Sequence, residues 1–131
     1  QLPEVRQFAL ELVNRDRNLN TLGSVVIDPI LNDAAQRHAE DMAQRRYFDH
    51  KSPEGKTPRD RFINAGGSEY NGVGENIAYQ PTSNSFGLTY GVAEELQRGW
   101  MYSNGHRENL LTPGYKKFGY GIAVTPSGRV Y

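Results

Sequence analysis

The sequence contains no cysteine among its 131 residues. A disulfide framework and a thiolate metal site are therefore both excluded, and the fold must hold by its core. It also lacks an excess of charge of either sign, since 15 Lys and Arg balance 15 Asp and Glu. That balance removes the broad positive field on which non-specific nucleic-acid binding depends, so no nucleic acid is expected as a partner. No apolar run approaches the roughly 20 residues that a membrane-crossing helix requires. There is no internal repeat, no low-complexity tract, no paired-histidine zinc-protease helix and no phosphate-binding glycine loop. Gly72-Val73-Gly74 lacks a third glycine in register, which disfavours dinucleotide binding. The chain opens on Gln1 instead of methionine, which implies an upstream segment.

What is present reads as one domain over residues 1–131. A first helix is expected from Pro3 to about Asn14–Arg17, with Val5, Phe8, Leu12 and Val13 on one face. Asp28-Pro29 is a cap followed by a first-turn proline. It starts a second helix that turns Leu31, Ala35, His38, Ala39 and Met42 inward. Thr57-Pro58 repeats that signal for a third, short helix, which Gly66-Gly67 stops. Gly72 to Tyr79 reads as a strand and Gln80 to Tyr90 as a loop. A fourth helix follows from Gly91 to Met101, Asn104-Gly105 breaks it, and His106 to Leu111 forms a helical turn. From Phe118 to Val124 large apolar residues alternate with Gly119, Gly121 and Ala123. Such a strand has one face almost without side chains, so another element must lie close against it. Thr125 to Gly128 is a hairpin turn, and Arg129 to Tyr131 begins an antiparallel return. Helices first and an antiparallel pair last favour an α+β arrangement.

Three histidines occur. His38, on the apolar face of the second helix, reads as a hydrogen-bonded core residue. His50 and His106 lie in segments rich in Gly, Ser and Asn, where functional side chains concentrate. Glu75, between Gly74 and Asn76, enters an apolar stretch, where an unpaired carboxylate is costly. Two imidazoles and a carboxylate suit a divalent metal such as zinc, and equally suit general acid–base chemistry. Their spacing decides neither. Ser103 and His106 are three residues apart and could share a helical face, but a serine hydrolase also needs an oxyanion hole, which cannot be nominated. Gly87-Leu88-Thr89-Tyr90-Gly91 has nucleophile-elbow spacing without a serine or a preceding strand. Trp100, at helical spacing from Leu96, reads as core.

Four motifs in order resemble those of the CAP superfamily of sperm-coating, antigen-5 and pathogenesis-related 1 proteins. Tyr47-Phe48-Asp49-His50-Lys51-Ser52-Pro53 resembles its first histidine motif. Gly74-Glu75-Asn76-Ile77-Ala78 resembles its glycine-glutamate-asparagine motif. The segment from Gly99 to Leu111, through Trp100, Asn104 and His106, resembles the second histidine motif in its bacterial form. Phe118-Gly119-Tyr120-Gly121-Ile122-Ala123 resembles the strand that follows. The resemblance implies a three-layer α-β-α sandwich with a small antiparallel sheet and a large surface cleft. It also implies a closing strand that runs on past Tyr131.

In many members two histidines and two acidic residues line that cleft, and the histidines hold a divalent metal, often zinc. By position the resemblance assigns His50 and His106 as metal ligands, and His50, Glu75, Ser103 and His106 as cleft-binding residues. Ser103 stands where a glutamate is found in eukaryotic members, and serine is a poor zinc ligand. The implied protein is secreted or extracytoplasmic, a monomer, and a binder of a small or extended ligand (lipid, glycan or peptide) more than an enzyme. Two alternatives stay open. One is a metal-assisted hydrolase with Glu75 as general base, and the other is a structural domain in which Glu75 and Asn76 knit loops together.

Overall fold

Residues 2–69, 72–81 and 90–131 are described in a computed structural model. Helix α1 spans Leu2–Leu19 and runs past the expected end near Arg17. The cause is Arg17, which is 2% exposed and donates to the carbonyls of Gly23, Leu110, Thr112 and Tyr115. That fan of hydrogen bonds pins the last turn to the far end of the chain.

Strand β1 is Val26–Ile27, and helix α2 is Pro29–Arg45. Asp28 caps α2 by accepting from the Ile30 amide at 3.2 Å, as its residue type predicts. Helix α3, Pro58–Asn64, opens on a reciprocal box. The Thr57 hydroxyl accepts from the Asp60 amide at 3.1 Å, and the Asp60 carboxylate accepts from the Thr57 amide at 3.0 Å. Helix α4 is Tyr90–Met101, α5 is Asn104–Leu110, and strand β2 is Lys117–Phe118.

The chain is layered. On one side α1 packs on α4, and Val5, Ala9, Val92 and Ala93 are buried together with Tyr120, Ile122 and Val130. On the other side α2 covers the glycine face of residues 119–121, with α3 beside it. A Cβ on Gly119 would lie 2.2 Å from the main chain of Leu31, and one on Gly121 would lie 2.4 Å from that of Ala35. The close neighbour demanded by the alternating pattern is thus the backbone of α2.

Three expectations need correction. The segment from Phe118 to Val124 is extended, but only its first residue belongs to a strand, because side chains replace the neighbouring chain. Asn32 Oδ1 accepts from the Tyr120 amide at 2.9 Å, and Gln36 Oε1 accepts from the Ile122 amide at 3.0 Å. Gln36 Nε2 donates to the Ile122 carbonyl at 3.0 Å and Arg6 Nε to that of Tyr120 at 2.9 Å. The Gly72–Tyr79 segment likewise forms no strand. Its carbonyls at Glu75 and Ile77 accept from the side chains of Asn109 and Trp100. Finally, Asn104-Gly105 does not break α4 but opens α5. The break is at Ser103, whose backbone is extended at φ −110° and ψ 120°.

The expected closing hairpin is present as an antiparallel bridge between Val124 and Val130, and Val130 also bridges Gln80. A fourth correction concerns the sheet, which was expected to be antiparallel. Among the described residues β1 and β2 pair in parallel, with Val26 opposite Lys117 and Ile27 opposite Phe118. The antiparallel contacts stay isolated bridges because Asn32, Gln36 and Arg6 take the main-chain groups of residues 120 and 122. Most of the Gln80–Tyr90 loop, and Thr89 within the elbow-like motif, lie outside the described residues.

Candidate functional site

The segment from Tyr47 to Lys56 leaves α2 through Arg46, which takes the left-handed conformation at φ 58°. It is tied down locally. The Asp49 carboxylate accepts from the Lys51 amide at 3.0 Å, and the Ser52 hydroxyl accepts from the Lys56 amide at 3.1 Å. From beneath, the His38 ring holds the carbonyl of Asp49 through Nε2 at 2.9 Å. A carbonyl only accepts, so Nε2 carries the proton. His38 is 3% exposed, and burial pushes its pKa down, with the Arg61 charge adding to the effect. It is the core histidine its helical position predicts, and it supports the loop that presents His50.

His50 and Glu75, 25 residues apart, meet directly. His50 Nδ1 donates to Glu75 Oε1 at 2.9 Å. The other carboxylate oxygen, Oε2, accepts from Arg61 Nη2 at 2.7 Å. The Arg61 Nη1 group turns back to the loop and donates to the carbonyls of His50 at 2.8 Å and Lys56 at 3.0 Å. One guanidinium therefore fixes the carboxylate, the backbone of the histidine and the turn behind it. Such a planar fork suits arginine and is beyond lysine. Arg61 and Glu75 side chains are 12% and 17% exposed, whereas the imidazole of His50 is 48% exposed. Nδ1 bears the proton toward the carboxylate, and in the neutral form of the ring Nε2 keeps a lone pair that can accept. Among the described residues that nitrogen has no hydrogen-bond partner.

His106 and Ser103 form a second pair, with Nδ1 and Oγ 2.9 Å apart. Ser103 sits at the cap position of α5 but makes no capping bond, since its hydroxyl is turned to the ring. Asn76 joins the two pairs: its Nδ2 donates to the His106 carbonyl at 3.0 Å, and its Oδ1 accepts from Asn109 Nδ2 at 2.9 Å. Asn109 also donates to the carbonyl of Glu75 at 3.0 Å. Residues 75–76 are thus the joint between the first histidine loop and α5.

Sequence reasoning did not name Arg61 or Asn109. Arg61 stands one turn after the Thr57-Pro58 start and beside Phe62 and Ile63, a position indistinguishable in pattern from a solvated helix arginine. A signal was available for Asn109, inside the second histidine motif. Ser103 holds the position of the family's second acidic residue, and neither Glu94 nor Glu95, which precede Trp100 on α4, takes its place. Glu94 lies 3.9 Å from both Arg15 and Arg98, and Glu95 accepts from Gln80 at 3.3 Å. Trp100 is core, edge-on to Tyr120 with ring centroids 6.5 Å apart.

Among the described residues no group of three His, Cys, Asp or Glu side chains is placed to hold a metal ion. His50 and His106 each engage Nδ1 separately, one with Glu75 and the other with Ser103, whereas a closed zinc site needs four donors that converge on one ion. A cavity of about 200 Å³ lies inside the fold behind the site. It reaches His38, Arg61, Glu75 and Asn109 but not His50 or His106.

Comparison with known proteins agrees with this architecture. The sequence profile of CAP, the cysteine-rich secretory protein family, matches residues 10–131. The uncharacterized protein YkwD of Bacillus subtilis is 35% identical over 118 residues, covering 90% of this chain and 42% of its own length. The uncharacterized membrane protein YlbC of the same organism is 32% identical over 113 residues, covering 86% and 30%. The chain therefore spans less than half the length of these relatives. An extracellular protein of Bacillus anthracis containing an SCP domain superposes with a TM-score of 0.75 at 31% identity, over 98% of this chain and 39% of that one. An outer surface protein of Borrelia burgdorferi has the same fold, with a TM-score of 0.72 at 18% identity over 99% and 90%. No helix among the described residues is long and apolar enough to cross a membrane.

Proposed function

Because this chain belongs to the CAP family of cysteine-rich secretory proteins, we propose that it is an extracytoplasmic binding domain. Its ligand, a small or extended lipid, glycan or peptide, is taken at a polar site of His50, Glu75, Ser103 and His106. The observation that carries this reading is the His50–Glu75–Arg61 relay. A carboxylate locked by an arginine orients an exposed imidazole and leaves its Nε2 facing outward as a hydrogen-bond acceptor. Preorganising a solvent-facing polar group in this way lowers the ordering cost of binding. The extracellular relative that shares the fold supports the location.

Glu75 serves this site better as an orienting group than as a general base. Each of its oxygens already accepts one hydrogen bond, from His50 and from Arg61, and the two together hold the carboxylate in an orienting position. A divalent ion is proposed here as a weak guest of His50 and His106 and not a resident cofactor, given two donors and a serine in the fourth position.

The test is a titration followed by amide NMR, using one short peptide, one fatty acid and one oligosaccharide. Shifts that cluster on residues 49–51, 74–77 and 103–107, and that vanish in His50→Ala and Glu75→Gln, support the reading. Three silent titrations overturn it. Calorimetry of zinc into chelator-treated protein should give weak heat, lost in His50→Ala and in His106→Ala, and fading as pH is lowered because imidazole must be neutral to bind. Tight binding that survives both substitutions would place the ion elsewhere.

A further inference from the structure

Six large hydrophobic side chains are exposed among the described residues, and three of them are close in sequence to residues of the site. Phe48 is two residues before His50, Tyr79 is four after Glu75, and Tyr102 is four before His106. Phe48 and Tyr79 touch each other across the two segments, with ring centroids 5.9 Å apart and planes tilted by 43°. They are 48% and 38% exposed. Tyr79 in turn packs on Tyr131 at 5.1 Å. Tyr131 is buried and exchanges two main-chain hydrogen bonds with Ala123, at 2.9 and 2.8 Å.

The rings form a ladder rooted in the core and open at its outer end. Its supports are rigid. Gln80, next to Tyr79, exchanges both main-chain bonds with Val130 at 2.9 Å. Asp49, next to Phe48, is held through its carbonyl by the buried His38. Two aromatic rings are therefore kept partly in water on supports held by main-chain hydrogen bonds. A fixed, solvent-facing ring pair with few rotamers to lose is a binding device.

We propose that Phe48 and Tyr79 are a stacking platform for a pyranose ring of a neutral glycan, whose hydroxyls reach His50 and Glu75. This names the ligand class for the polar site and rests on that reading. Three observations select a neutral sugar. A pyranose has an apolar C–H face for the rings and a rim of hydroxyls, and the platform has the matching order, aromatic faces beside polar groups. Within the site itself Glu75 is already paired with Arg61 at 2.7 Å, so these two charges compensate each other and do not call for an ionic ligand. Sugar hydroxyls can donate to both acceptors of the site, the Glu75 carboxylate and the Nε2 lone pair of a neutral His50 ring. A lipid chain would call for an enclosed apolar slot, and this pair is open.

The experiment is calorimetry and saturation-transfer NMR with chitotetraose and cellotetraose. At least one should bind, with transfer strongest to ring C–H protons. Phe48→Ala and Tyr79→Ala should each weaken it about tenfold, and Phe48→Leu and Tyr79→Leu severalfold, since leucine keeps apolar area but loses the flat face. Leu19→Ala, an exposed hydrophobic site on α1, should change nothing. Circular dichroism of every variant reports the fold. No binding of either sugar, or affinity indifferent to both leucine variants, overturns the proposal. So does a proline-rich peptide that binds where the sugars do not. If His50→Ala abolishes sugar binding while both leucine variants are silent, the platform falls and the polar site stands. If Phe48→Leu weakens binding while His50→Ala and Glu75→Gln do not, the platform stands and the polar site falls.

Discussion

Replacing Arg61 by alanine removes one side chain that serves three acceptors. The Glu75 carboxylate loses its cation at 2.7 Å, and the carbonyls of His50 and Lys56 lose donors at 2.8 and 3.0 Å. Breaking a buried ion pair by removing one partner costs about 3–5 kcal/mol, and an exposed pair is worth about 0–1. With side chains 12% and 17% exposed, this pair sits toward the buried end, but water can reach the freed carboxylate. About 1–2 kcal/mol for the pair and about 1 kcal/mol for the two carbonyls, one of which water can re-satisfy, give about 2–3 kcal/mol in total. At about 2.1 cal/mol/K of unfolding entropy per residue, a chain of 131 residues loses about 3.6 °C of Tm per kcal/mol. Arg61→Ala should therefore lower Tm by about 7–11 °C, with a matching fall in urea midpoint at constant m-value. Coupling is the sharper readout. In a double-mutant cycle, Arg61→Ala and Glu75→Gln should be less than additive by about 1 kcal/mol or more. Arg61→Lys should rescue little, because an ammonium cannot span all three acceptors. A loss below about 0.5 kcal/mol for Arg61→Ala, or strict additivity in the cycle, refutes the guanidinium as the organiser of this site.

Two further outcomes follow from the packing and the buried histidine. Gly121→Ala places a Cβ 2.4 Å from the Ala35 carbonyl carbon, which cannot rotate aside, and should cost about 3 kcal/mol or more in urea unfolding. Gly99→Ala, in α4 with nothing within 4 Å, should instead stabilise by about 0.5–1 kcal/mol, and equal behaviour of the two would sink the close-approach argument. For His38 the folded pKa lies below its unfolded value, so the unfolded chain binds more protons in the window between them. Its contribution is fully present above about pH 6.5 and is lost as pH falls toward the folded pKa. Stability measured from pH 7.5 downward should decline below about 6.5, and His38→Gln should flatten that decline. An unchanged slope in the variant would remove His38 as the cause.

Local chemistry was the legible part of the sequence. Asp28-Pro29 and Thr57-Pro58 start helices where they stand, because a cap and a fixed φ act within three residues. The glycine alternation at 119 and 121 announced a close neighbour, and the neighbour is α2. The pairing of His50 with Glu75 was anticipated as a possibility, through the family resemblance and not through spacing. Long-range side-chain hydrogen bonding was illegible. Gly72–Tyr79 has the composition of a strand, yet Asn109 and Trp100 take its carbonyls. Arg61 carried no signal, since nothing in an α3 of seven residues tells where a long guanidinium side chain will reach. The parallel pairing of β1 with β2 joins residues 91 positions apart, Val26 and Lys117, and two-residue strands leave no periodicity to read.

The amide side chains that line residues 120–122 also bear on how this protein avoids self-association. An extended segment with unpaired donors and acceptors is a template on which another chain can add itself, and such addition seeds fibrils. Here both groups of Tyr120 and both groups of Ile122 are occupied by Asn32, Gln36 and Arg6. Those partners come from helices, so they end the ladder without offering a fresh edge. A second strand at the same place would have satisfied the same hydrogen bonds and passed the exposed edge outward by about 4.8 Å. The helix-borne side chains close the sheet where it begins, and a chain without disulfides gains protection from aggregation from three side chains.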